Sequence, residues 1–181
     1  MPIDPREFEQ AALDLLDSAA RFARSLTGDA TEAEDLVQES YLKAIAARDR
    51  YIPGDAGMRP WLFRIIRNTW MNRVARRRLE PTAVPADSME TLPATGATPP
   101  QVGPSIDWLQ CDQRLVAAVQ ALPETLRSPL LLWALEEMTY REIAEIAEVP
   151  VGTIMSRLHR ARQVLIERLQ PLTQDERRRN E

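Results

Sequence analysis

The sequence predicts an all-α protein of two small helical domains joined by a flexible acidic linker. Three observations predict it. Apolar residues recur at helical spacing between clear capping signals, and no period-2 alternation is found anywhere. From Leu79 to Gln113 the texture changes: six prolines, five acids and no Lys or Arg, a stretch that cannot bury enough apolar surface to offset its ordering entropy. Finally, Thr139 to Leu169 reads as two short helices broken at Glu148-Val149-Pro150, the layout of a helix-turn-helix.

Asp4-Pro5-Arg6-Glu7 places an N-cap, a proline at the first helical position and an acid at N3. Phe8, Ala12, Leu15, Ala19, Phe22 and Leu26 then line one face of a single helix that Gly28 stops. Thr31-Glu32-Ala33-Glu34 reads as the capping box of a second helix, running to about Ala47. Arg59-Pro60-Trp61 opens a third, with Leu62, Ile65, Ile66 and Thr69 directed inward. Trp108 and Leu109 start the second domain. Helices over Asp112–Leu122 and Pro123–Glu137 follow, and then the helix-turn-helix pair. The tail from Thr173 to Glu181 reads as a frayed end. The resulting boundaries are 1–80, a linker over 81–108, 109–172 and the tail 173–181.

Composition narrows the function classes. At 181 residues and 44% apolar content the chain can build real cores. No run approaches the roughly 18 apolar residues of a membrane span, and no signal-peptide pattern opens the chain. Cys111 and His159 are each alone, which removes disulfides, thiolate or His-pair metal sites and most His-based catalysis. No nucleotide loop or nucleophile–base set is present, so no enzymatic activity, cofactor or metal is expected. A reducing, cytoplasmic setting follows. The chain is acidic overall (pI about 5.2), so basic charge concentrated on particular helices points to nucleic acid. Of its 23 basic residues only Lys43 is lysine. Genomic base composition explains that bias, as does the fit of the guanidinium fork to phosphates and guanines.

Three constellations carry function. On the second helix of the helix-turn-helix, Ile154, Leu158, Ala161 and Leu165 cluster within about 60° and define the buried side. Gly152, Ser156, His159, Arg160 and Gln163 lie opposite, flanked by Thr153, Met155 and Arg157. Short polar and arginine side chains near a helix start suit base edges and phosphates. His159 fits a surface histidine or such a contact. The second constellation, Arg59 to Arg78, holds seven arginines and no acid, interleaved with Trp61, Phe63, Asn68, Trp70 and Asn72. It suits phosphate anchoring with base reading, with Arg64, Arg67, Asn68 and Met71 set opposite the Leu62/Ile65/Ile66 face. The third is acidic: Glu32, Glu34, Asp35 and Glu39 surround Leu36-Val37-Gln38 on a helix whose sole base is Lys43. It reads as a solvated face or as a surface that meets a protein, since these acids repel DNA.

In this order the parts resemble a bacterial RNA polymerase sigma factor of the extracytoplasmic-function (ECF, sigma-70 group IV) family, with σ2-like and σ4-like domains and a linker between. D-L-V-Q-E at Asp35 to Glu39 resembles the motif that grips the clamp helices of the polymerase β′ subunit. P-W-L-F-R-I-I-R-N-T at Pro60 to Thr69 resembles the helix that reads the −10 promoter element. L-P-E-T-L-R at Leu122 to Arg127 and P-V-G-T-I-M-S-R-L-H-R-A-R at Pro150 to Arg162 resemble the signature that reads the −35 element. The match spans about residues 6–80 and 110–170.

The resemblance implies that Asp35, Leu36, Gln38 and Glu39 contact polymerase. Asn68 and Asn72 would contact the −10 region, with Arg64 and Arg67 on nearby phosphates. Thr153, Met155, Ser156, Arg157, His159 and Arg160 fall at the −35-facing positions, Met155 standing where relatives often carry Lys or Arg. The loop Tyr51 to Met58 lies where the family captures a base flipped from the opening duplex, with Tyr51 itself read as a core aromatic rather than the stacking platform. The implied partners are core RNA polymerase (β′ clamp helices and β flap), promoter DNA and an anti-sigma factor. The implied function is promoter-specific initiation. Two rivals share these features: a sigma mimic that sequesters an anti-sigma factor, and a polymerase-independent helix-turn-helix regulator.

Overall fold

The computed structural model describes residues 4–53, 57–79 and 112–179, and all regular structure among them is helical. The chain divides into two compact units, one built mainly from the first four helices and the other mainly from the last four.

The first unit comprises α1 (Pro5–Leu13), α2 (Leu16–Thr27), α3 (Ala30–Ala46), a 3-10 turn at Arg48–Arg50 and α4 (Arg59–Leu79). Asp4 caps α1, its carboxylate accepting from the Arg6 N–H at 2.8 Å. The expected single first helix is in fact two. Neither Gly nor Pro marks the break; the Leu15 N–H turns back to the Ala12 carbonyl at 3.2 Å, an i→i−3 bond that tightens the turn. The second helix also starts earlier than expected. Gly28, at φ +75°, ends α2, and Asp29 caps α3 by accepting from the Glu32 N–H at 2.8 Å. Thr31 therefore sits inside the helix.

α2, α3 and α4 pack on one another around Phe22, Leu26, Leu36, Leu62, Phe63 and Ile66, all fully buried. The Phe22 and Phe63 rings lie 5.3 Å apart. A second aromatic group joins α1 to α4: Phe8 sits 5.9 Å from both Tyr51 and Trp61, which are 5.1 Å from each other. Tyr51 is thus a core aromatic. The buried hydroxyls of Ser25 and Ser40 donate to carbonyls of their own helices at 2.7 Å. Tyr41 on α3 donates to the Ala12 carbonyl at 2.8 Å, fastening the end of α1, and burial pushes its pKa up to about 12.

The second unit comprises α5 (Gln113–Gln120), α6 (Glu124–Glu136), α7 (Tyr140–Ala147) and α8 (Val151–Arg179). α5 and α6 pack on α8, with Leu122, Leu126 and Ala161 at the contact and Leu130, Val164 and Leu165 against them. Leu131, Leu132, Met138, Ile143, Ile146 and Ile154 complete the core. Thr139 and Glu142 form a capping box at the start of α7: the Thr139 N–H donates to the Glu142 carboxylate at 2.7 Å, and the Glu142 N–H donates back to Thr139 Oγ1 at 3.3 Å. Glu148 takes the left-handed conformation (φ +55°) that turns the chain into α8. α8 continues helical through residues 173–179 of the expected tail, and 180–181 lie outside the described residues. The expected linker, 81–108, lies outside the described residues.

A buried polar strap closes the start of this unit. Arg127 donates through Nη1 to the Gln120 carbonyl and to Gln120 Oε1, both at 2.7 Å, and pairs through Nη2 with Glu124. Glu124 is only 6% exposed. Burial pushes the Arg127 guanidinium down to about 10, still fully charged at neutral pH. The Gln120 carbonyl is one that the end of α5 leaves without a helical partner, so Arg127 satisfies it and the Glu124 charge together.

Candidate nucleic-acid interface and docking face

α4 spends its apolar side on the core and turns a polar stripe outward. Leu62, Phe63, Ile66, Thr69 and Trp70 are buried, while Arg64 and Asn68 are half-buried and Asn72 is exposed. Arg64, Asn68 and Asn72 therefore follow one another along a single accessible face, one turn apart. Arg67 departs from expectation. It is 8% exposed, and its Nη1 donates to Asn68 Oδ1 at 3.3 Å. The inward face is wider than the Leu62/Ile65/Ile66 arc, because Phe63 and Trp70 extend it to the side where Arg67 projects. Arg67 is thus a correction to the expected phosphate contacts: it orients the Asn68 amide rather than lying on the surface. Ile65, expected inward, is partly exposed.

α3 carries the acidic motif. Glu34, Asp35 and Gln38 are exposed. Leu36, expected as a docking contact, has no exposed surface at all; it is the apolar anchor that seats α3 on the core, so its side chain cannot reach a partner. Glu39 is half-exposed and already engaged. Lys43 donates to one carboxylate oxygen at 2.7 Å, and Arg73 of α4 donates to the other through Nη2 at 2.6 Å and Nε at 2.9 Å. The Lys43 ammonium, with Arg73, holds the Glu39 carboxyl below the usual carboxylate range, against the opposing effect of burial. A carboxyl with a depressed native pKa contributes stability at pH above its ordinary value, lost as pH falls through the native value. Glu39→Gln should therefore be less stable than wild type at neutral pH. The gap in urea midpoint should close as pH drops below 4.5; a gap that stays constant to lower pH would rule out the ionic contribution.

In the second unit, Ile154, Leu158 and Ala161 face inward. Val151, Gly152 and Ser156 are exposed, and Thr153, Met155, His159 and Arg160 are partly exposed along the same side. Ser156 Oγ donates to the Gly152 carbonyl at 3.0 Å. Arg157 lies lower on the flank than its neighbours, and burial pushes its guanidinium pKa down. Short side chains at the start of α8, followed by Arg160, leave the backbone accessible to a close-approaching partner.

Residue by residue the geometry thus presents Asp35, Gln38 and part of Glu39 on one helix of the first unit, and Arg64, Asn68 and Asn72 on the next. The helix-turn-helix side chains sit in the other unit. Sequence reasoning missed the pairing of two residues, Arg73 and Arg77, with acids of α3.

Comparison with known proteins bears on this arrangement. A Sigma-70 region 2 family model matches residues 13–80, and a Sigma-70 region 4 model matches residues 112–165. The RNA polymerase sigma-H factor of Pseudomonas aeruginosa is 34% identical over 176 residues, covering 95% of this chain and 91% of that protein. The chain belongs to the ECF sigma factors. The ECF RNA polymerase sigma-E factor of Escherichia coli strain K12 is 37% identical over 145 residues, 78% of this sigma factor and 75% of the relative. Among solved structures, the sigma factor RpoE in complex with the anti-sigma factor NepR, from Bartonella quintana, is 31% identical with a TM-score of 0.69, covering 91% of this chain and 98% of that one. CnrH in complex with the cytosolic domain of CnrY shares the fold, with a TM-score of 0.64, 24% identity and coverage of 93% of this chain and 90% of that chain. This protein is an alternative sigma factor, a transcription-initiation protein with DNA-binding sigma regions, and its relatives are non-catalytic initiation factors. Among the described residues, no helix is long and apolar enough to cross a membrane.

Proposed function

We propose that this sigma factor docks on the β′ clamp helices of core RNA polymerase through Asp35, Gln38 and the outer edge of Glu39. From there it reads the −10 element with Arg64, Asn68 and Asn72, and the −35 element with Thr153, Met155, Ser156, Arg157, His159 and Arg160. Residues 1–80 form the docking and −10 domain and 109–172 the −35 domain; 81–108 form an acidic linker that follows the polymerase's basic nucleic-acid channel. The β flap holds the second domain, and an anti-sigma factor covers these surfaces when the protein is off, all in the cytoplasm. No chemistry of its own is involved. The observation that carries the reading is the pairing, within one unit, of exposed acids on α3 with the Arg64/Asn68/Asn72 stripe on α4. Acids repel DNA and arginines attract it, so one face meets protein and the other nucleic acid.

Two small domains tethered to polymerase need little affinity each, because tethering raises their effective concentration. A gel shift on a promoter fragment should therefore be specific with holoenzyme and not with this protein alone. A specific shift by the isolated protein, on a palindromic site, would mean a polymerase-independent regulator instead. Asn68→Ala should lose about 1–3 kcal/mol of discrimination at one −10 base pair, roughly five- to 150-fold. Run-off transcription from single-substituted −10 elements would show selectivity collapsing at that position alone; a uniform fall at every position would contradict the assignment.

A further inference from the structure

Past Trp70, α4 leaves the core. None of Met71, Asn72, Arg73, Val74, Ala75, Arg76 or Arg77 is buried, yet the helix continues through Leu79. Polar contacts tie this overhang to α3. Arg73 grips the Glu39 carboxylate with two donors, at 2.6 and 2.9 Å, and the Asp35 carbonyl at 3.0 Å. One turn on, Arg77 pairs with Glu32. Its guanidinium also lies 5.6 Å from the Trp70 ring centroid, a cation–π contact. The register is that of two antiparallel helices: 73 meets 39 and 35, and 77 meets 32. Asn72, the outermost base-reading residue proposed above, stands on this overhang beside Arg73.

We propose that Glu32, Arg77, Glu39 and Arg73 form an ion-pair zipper that positions the −10-reading end of α4, so that Arg73 and Arg77 act through Asn72 rather than on DNA phosphates. The proposal rests on the promoter reading given above. Isolated surface ion pairs contribute little. Here a two-donor grip, a backbone bond and a cation–π contact act on one segment that has no buried residue over 71–77, and the requirement is for position more than for stability. The alternative use of the same contacts has the opposite sign. If the acids merely held Arg73 and Arg77 away from DNA, removing an acid would strengthen promoter engagement.

Glu32 and Arg77 give the cleaner test, since neither belongs to the proposed docking set. In the full-length free protein, Glu32→Gln and Arg77→Gln should each speed amide hydrogen exchange over residues 71–77. In holoenzyme, each should reduce open-complex formation, read by permanganate reactivity of the −10 region, by about three- to fivefold. The double variant should be no worse than Arg77→Gln alone, and the swap Glu32→Arg with Arg77→Glu should recover the part of the loss due to the ion pair, though not the part due to the Trp70 contact. Unchanged or increased opening in Glu32→Gln would overturn the proposal. So would a loss confined to Arg77→Gln, which would mark a direct phosphate contact. Should wild-type holoenzyme form no open complex, the promoter reading fails; unchanged exchange would separately refute the zipper.

Discussion

Alanine in place of Arg127 is expected to cost the second unit about 3–5 kcal/mol. Arg127 serves three acceptors at once: the Gln120 carbonyl, Gln120 Oε1 and Glu124. Its loss leaves the Glu124 carboxylate, itself almost wholly enclosed, without a compensating charge. The α5 terminus loses its cap as well. A helical unit of this size has on the order of 0.05–0.15 kcal/mol of stability per residue, so most of its stability goes. Urea unfolding of the full chain, followed by circular dichroism, should show one transition shifted far to lower denaturant. Replacing both partners together, Arg127→Met with Glu124→Leu, should be far milder, because no buried charge is orphaned. An Arg127→Ala midpoint close to wild type would show that the strap is dispensable.

The second large effect is expected at Asp35. It is exposed, and among the described residues its carboxylate enters no ion pair, so Asp35→Arg should leave the fold intact. At a contact built for an acid, a reversed charge places like charges together, at a penalty of several kcal/mol. Affinity for core polymerase should fall roughly thirty- to several-thousandfold, by about 2–5 kcal/mol. Competition against a labelled sigma factor for core polymerase measures it, with circular dichroism confirming the fold. Undiminished affinity would move the docking face elsewhere.

Much of the fold is legible in the residues because capping and helical spacing are local. Asp4, Gly28 and the inward row Ile154, Leu158 and Ala161 lie where pattern alone puts them. What escaped depends on choices that local signals leave open. Asp29-Ala30-Thr31-Glu32 and Thr31-Glu32-Ala33-Glu34 are overlapping capping boxes, and the earlier prevails because Gly28 has just ended the preceding helix. The break at Asp14 and Leu15 carries no glycine or proline to announce it. In the candidate sites the failures are of depth. Leu36 is embedded in an acidic motif, yet it is the residue that seats the helix. Arg67 carries a charge, yet it falls on the arc that Phe63 and Trp70 enclose. Arg73 and Arg77 read as DNA anchors until α3 is seen beside them; acids at 32 and 39, two helical turns apart, were the available signal.

Run-off transcription with purified core polymerase tests promoter-directed initiation most directly, using promoters located by mapping transcript starts after overexpression of this sigma factor. Adding the full-length protein should give a transcript from a fixed start that disappears when either the −10 or the −35 element is scrambled. No promoter-specific transcript from any cognate promoter, despite a folded protein and active core, would contradict it.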